Sequence, residues 1–213
     1  MRRAKLGVVA AGMALALALP AHSQVESPAD AGPPVVSAVW IEREVTLYYM
    51  GFTSYYSCEG LRGQVTRVLK ELGVRPGFKV TARHCAQASG PEWSPSVRIV
   101  AALPVEATPE VLAELAKDAS TRELVAKVQG KSPDEATAQF PARLRRVEFE
   151  SGRTGLSDLQ DGDCELMEQL VRNDVFGKLG AKVVDARTHC VPRQVTLGAV
   201  RMAVEVLEPV PAQ

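Results

Sequence analysis

Four cysteines, three histidines and four tyrosines carry most of the chemistry this sequence could perform, and their spacing is ordered. Cys58 and Cys85 bracket CEGLRGQVTRVLKELGVRPGFKVTARHC, while Cys164 and Cys190 bracket CELMEQLVRNDVFGKLGAKVVDARTHC. Each segment opens Cys-Glu and runs through an amphipathic stretch to Leu-Gly and then Lys-Val. It closes on Ala-Arg-His-Cys or Ala-Arg-Thr-His-Cys. Matches in the same order over nearly equal lengths are the mark of an internal duplication.

Thiols at these positions have three possible fates. Thiol-exchange catalysis calls for C-x-x-C or a lone activated thiol, and neither occurs. A metal site would draw on Cys58, His84, Cys85 and their counterparts, but the paired C-x-x-C spacing of zinc sites is missing, so no metal is expected. Disulfides remain, and four cysteines allow three connectivities. In a right-handed strand-helix-strand crossover, the helix starts near the place where the second strand ends. A cysteine at each helix start would then meet the cysteine closing the next strand, which predicts Cys58–Cys85 and Cys164–Cys190.

His84 and His189 immediately precede those cysteines, with Arg83 and Arg187 close by, and symmetry invites a paired site. Alternation along a strand gives the blander outcome, in which the cysteine makes its bridge and the histidine turns outward or into a local hydrogen bond. No G-x-S-x-G elbow or triad spacing is present, and no carboxylate pair stands out for glycoside chemistry. No catalytic residue and no cofactor is assigned. The run SDLQDGDCE, with Asp158, Asp161, Asp163 and Glu165, lacks the ligand order of an EF-hand, and helix capping accounts for Asp163 and Glu165.

The tyrosines all fall in LYYMGFTSYYSCEG, residues 47–60. In its strand portion Leu47 and Tyr49 share one face and Tyr48 and Met50 the other, so part of the cluster belongs to the core. Phe52, Tyr55 and Tyr56 lie in the connection to the helix. The second unit has SGRTGLSDLQDGDC there, without an aromatic. Side by side, the two loop ends would form a groove aromatic on one wall and acidic on the other, fit for a sugar, a peptide or a cationic partner. The candidate ligand-binding set is Phe52, Tyr55, Tyr56, Arg83, His84, Arg187 and His189.

The elements that position these residues follow from periodicity. Ser57 and Asp163 stand as N-caps, and Gly73 and Gly180 as C-terminal stops. Leu61, Val65, Val68, Leu69 and Leu72 predict one helix; Met167, Leu170, Val171, Val175 and Leu179 predict its counterpart as a single run. EVTLYYMG and RRVEFESG lead in as strands, FKVTARHC and AKVVDARTHC follow the helices, and SVRIVAALPV and VTLGAVRMAVEVL complete each unit. Thr108-Pro109 opens a helix between the units, and KSPDEATAQFPAR reads as loop. The expected fold is α+β: two strand-helix-strand-strand units in a mixed sheet with helices packed on it. The boundaries are a leader at 1–23, a flexible linker at 24–38, a first unit at 39–107, a helical connector at 108–142 and a second unit at 143–208. The tail EPVPAQ reads as linker too.

The leader MRRAKLGVVAAGMALALALPAHSQ has a basic head, a short apolar middle and a small-residue exit, the pattern of a cleaved secretory signal. Periplasmic or secreted localisation is therefore expected, and an oxidising destination suits the disulfides. With 25 basic and 25 acidic residues, three of the former in the leader, the remaining chain is mildly acidic. It has no footprint for nucleic acid or anionic lipid, and no later segment is apolar enough to span a membrane.

The module YYSCEGLRGQVTRVLKELG, followed by a strand ending in cysteine, resembles uncharacterised secreted proteins of Gram-negative bacteria over the first unit. The resemblance implies export and the first disulfide, and brings no activity. The expected function is a non-enzymatic envelope protein binding an unidentified partner or small ligand through its aromatic loop end. The alternatives are an envelope hydrolase using His84 or His189, and a stress or assembly factor acting through a sheet edge.

Overall fold

A computed structural model describes residues 33–52, 55–85, 90–92, 94–117, 138–150, 163–191 and 199–211, with residues 119, 123, 124 and 128 between the third and fourth strands of the sequence. The leader and most of the linker lie outside them, as do the acidic loop at 151–162 and most of the connector beyond Lys117. The elements run β1 (Val35–Tyr48), α1 (Cys58–Leu72), β2 (Lys79–Arg83), β3 (Ser96–Glu106), α2 (Pro109–Lys117), β4 (Phe140–Glu150), α3 (Cys164–Arg172), α4 (Val175–Leu179), β5 (Lys182–His189) and β6 (Ala199–Pro209). The architecture is α+β, one six-stranded sheet with helices packed on it. No described helix is long and apolar enough to cross a membrane.

Local chemistry explains α1 fully and α3 only in part. Ser57 caps α1 from an extended conformation, its Oγ accepting from Gly60 N at 3.0 Å. Cys58, Leu61, Val65, Val68, Leu69 and Leu72 bury one face, and Gly73 stops the helix at φ 75°. Gly180 ends α4 in the same left-handed conformation at φ 102°. The expected cap at Asp163 is absent, for this residue is already helical (φ −82°, ψ −5°) and its side chain makes no cap hydrogen bond. Nor is the second helix continuous. Asn173 N and Asp174 N donate back to Gln169 O and Val171 O, and Asp174 turns left-handed at φ 52°. Asn and Asp tolerate that conformation better than most residues, which breaks the apolar run between Val171 and Val175.

The strand order β2-β3-β1-β4-β6-β5 reads alike from either edge, each unit contributing three adjacent strands. Every neighbouring pair is antiparallel. Strands of like direction are thus separated by a third: β1 and β2 run parallel with β3 between them, as β4 and β5 do around β6. The crossover that motivated the disulfide pairing survives, spanning one strand more than a minimal one.

The two halves join through Val35–Ala38 paired with Arg143–Phe140. Two boundaries thus differ from the expectation: Val35–Ala38, linker by composition, and Phe140–Arg143, loop by composition, are strand. Their Pro and Ala content reads as linker, but Ala38 and Ala142 are fully buried where the halves meet, and small side chains permit that approach. The tail is corrected as well, because β6 runs to Pro209 and Val210 N donates to Pro141 O at 2.9 Å.

Beyond the joint the sheet is folded over. β3 and β6 are three steps apart in strand order, roughly 14 Å in a flat sheet, and yet they touch. One apolar core results, holding Leu47, Leu61 and Ile99 from the first unit with Phe149, Leu166 and Phe176 from the second. The Phe149 and Phe176 rings lie 6.4 Å apart.

The halves also interlock through a pair of arginines at matching places on β1 and β4. Arg145 Nη2 donates to Glu71 O at 2.8 Å beside the Gly73 stop of α1. Arg43 reaches Gly180 at the end of α4, where an added Cβ would sit 2.7 Å from its Nη1 and 3.3 Å from Val105 Cγ2. Gly180→Ala is therefore expected to destabilise the protein by about 1–2 kcal/mol from the left-handed backbone alone, measured as a lower urea midpoint with an unchanged slope.

Candidate functional site

Both disulfides form as expected, Cys58–Cys85 with Cα atoms 6.1 Å apart and Cys164–Cys190 with 5.6 Å. Each ties the first residue of a helix to the end of the following strand. Together they set two corners beside each other, and the aromatic segment lies where these meet.

The segment divides as alternation requires. Leu47 and Tyr49 are buried at 0% and 1% exposure, whereas Tyr48 and Met50 stand out at 60% and 57%. Past the strand, Phe52 is 66% and Tyr55 49% exposed. Tyr56 turns inward, its ring 5.1 Å from that of Tyr49 at 71°. So Phe52 and Tyr55 face solvent, and Tyr56 belongs mainly to the packing.

What holds Tyr56 is a polar clamp between the units. Its Oη donates to Asp163 Oδ1, and Gln64 Nε2 donates to Asp163 Oδ2 at 3.2 Å. Asp163 is only 1% exposed, so these bonds replace the water a buried carboxylate loses. Further along α3, Glu165 Oε2 accepts from Phe52 N at 2.9 Å. Gln169 bonds Met50 in both directions, Oε1 accepting from N at 2.9 Å and Nε2 donating to O at 2.6 Å. Burial first, and then the Asp163 and Glu165 charges, push the phenols of Tyr49 and Tyr56 well above the ordinary tyrosine range. Both remain protonated, which keeps Tyr56 a donor. Asp163 thus acts as a clamp residue in place of the expected cap, and Gln64 and Gln169, which sequence reasoning missed, complete it.

Around this clamp lies a cavity of about 230 Å³, lined by Met50 and Phe52 from the aromatic segment, Glu165, Glu168, Gln169 and Arg172 from α3, and Cys190. Glu168 and Arg172 pair along the α3 wall at i,i+4. The wall opposite the apolar side chains is amphoteric, and α3 supplies it.

The remaining candidates divide between the two outer strands. Arg83 ends β2, with His84 just beyond it, and Arg187 and His189 lie on β5. His84 Nδ1 pairs with Ser96 Oγ at 2.9 Å, and its ring lies 6.2 Å from Tyr48. Arg187 pairs with Asp185 at 3.4 Å. No hydrogen bond, ion pair or ring contact joins the Arg83–His84 pair to the Arg187–His189 pair among the described residues, and neither pair lines the cavity. His84 has φ 56°, a conformation uncommon outside glycine. Among the described residues no group of three or more His, Cys, Asp or Glu side chains is placed to hold a metal. Asp158 and Asp161 lie outside them.

No protein-family model matches the chain, and no curated protein or solved structure does either.

Proposed function

We propose that the chain is an exported, non-enzymatic envelope protein, periplasmic or secreted, which binds a partner or small ligand at the loop end carrying Met50, Phe52 and Tyr55. One observation carries this reading: of the nine large hydrophobic side chains exposed among the described residues, Tyr48, Met50, Phe52 and Tyr55 fall within eight positions. A fifth, Val191, is the next residue in the chain after Cys190, which lines the same cavity. Clustered exposed apolar groups mark interaction surfaces, whereas scattered ones do not. The clamp supports the same reading, for it fixes the backbone at Met50 and Phe52 and leaves their side chains outside. Export rests on the leader pattern and the two disulfides.

The hydrolase alternative has less behind it. Each histidine is exposed at the end of a different outer strand, and Ser96 already holds the Nδ1 of His84. The assembly-factor reading would use β2 or β5 as an open edge.

Replacing Met50 and Phe52 together with alanine is expected to change stability by less than about 1 kcal/mol, because both side chains are exposed. Crosslinked partners recovered by pull-down from the periplasm should be lost. Unaltered capture with the double variant would contradict the reading.

A further inference from the structure

The two disulfides are alike in connectivity and unlike in surroundings. Cys85 is an exposed residue, whereas Cys190 is half-buried against the cavity. Their helix-borne partners are both buried, Cys58 at 3% and Cys164 at 4%. Cys58 opens a helix of 15 residues with a neutral serine before it as a well-formed cap. Cys164 opens one of 9 residues and stands between Asp163 and Glu165, both buried, at 1% and 8% exposure. Glu59, the acidic neighbour of Cys58, is exposed and paired with Arg62.

In thiol–disulfide exchange the rate depends on which sulfur can be reached and on how stable the departing thiolate is. A thiolate at a capped helix start is stabilised by the helix dipole and free backbone donors. One bracketed by two buried carboxylates is opposed by like charge. Both factors favour the first bridge.

We propose that Cys58–Cys85 is a reducible bridge, the substrate of thiol exchange and not its catalyst, open to a low-molecular-mass thiol or a protein dithiol, and that Cys164–Cys190 is the inert structural bridge. The incoming thiolate attacks Cys85 Sγ, and the electrons of the broken S–S bond leave with Cys58 Sγ as a thiolate. A second thiol then attacks the adduct, freeing Cys85 and leaving the two incoming thiols joined as a disulfide. Two thiols are oxidised, and one bridge is reduced. This inference stands apart from the ligand reading, since it uses neither Met50 nor Phe52.

The test uses the full exported chain, native and oxidised. It is incubated with graded dithiothreitol, quenched with iodoacetamide and mapped by peptide mass spectrometry. Cys58 and Cys85 should be alkylated first, roughly tenfold faster than Cys164 and Cys190. Reduced glutathione should leave its transient adduct on Cys85. Equal rates, earlier opening of Cys164–Cys190, or an adduct on Cys58 would overturn the proposal. A second variant, Ser57→Asp, keeps a capping oxygen while setting a carboxylate before Cys58, and should slow opening of the first bridge severalfold. An unchanged or faster rate in that variant would overturn the leaving-group account.

Discussion

Replacing Cys58 and Cys85 together with alanine is expected to lower the free energy of unfolding by about 3.5 kcal/mol on the loop-entropy account. The bridge closes a span of 27 residues, and without it the unfolded chain regains that freedom. Removing Cys164–Cys190, with a separation of 26, should cost nearly the same. Because the two units share one core, each double variant should still unfold in a single transition by urea titration with fluorescence and circular dichroism as probes. A loss under about 1 kcal/mol, or two separate transitions, would refute this description. Non-reducing peptide mapping supplies the control, with fragments joined within units and never between them.

The second large effect concerns Tyr56. Tyr56→Phe removes one hydroxyl and keeps the ring packed on Tyr49, yet is expected to destabilise the protein by about 1.5–3 kcal/mol, the range for hydrogen bonds to charged groups. Asp163 is almost wholly buried and would lose a charge-assisted donor. Tyr55→Phe, on a half-exposed ring in the same loop, should fall within about 0.5 kcal/mol of the parent. The contrast between adjacent tyrosines separates the clamp from a general effect of removing phenols.

Much of the fold was legible because its local signals were consistent. Cys-Glu at each helix start, Leu-Gly at each stop and alternation in the strands define the units and both bridges. At the joint between the halves, local rules failed. Val35–Ala38 and Phe140–Arg143 look like linker by composition, and only the pairing of two distant segments makes them strand. The Asn173-Asp174 break went unseen because apolar spacing persists across it. Asp163 misled for a related reason, since a carboxylate before a helix reads as a cap unless a tyrosine from another unit takes its oxygen.

The site was legible to a similar depth. Alternation separated Tyr49 from Tyr48 and Met50, whereas the acidic segment expected beside the aromatic one, residues 151–162, lies outside the described residues. The paired use of Arg83, His84, Arg187 and His189 depended on strand order, which no local pattern encodes, and that order puts them on opposite outer strands. Gln64 and Gln169 carried no signal, because a glutamine on a helix is unremarkable until its neighbour across the interface is known. Arg43 and Arg145 occupy matching positions, but their helix-end partners belong to the other half.

The central claim is that the aromatic segment of one unit is clamped onto the first helix of the other. A double-mutant cycle on Tyr56→Phe and Asp163→Asn tests it most directly, with all four proteins unfolded by urea under oxidising conditions. The clamp predicts a coupling energy between about 0.5 and 3 kcal/mol, as for residues in contact. Additivity of the two substitutions within about 0.3 kcal/mol would show that these side chains do not meet, and would contradict the account.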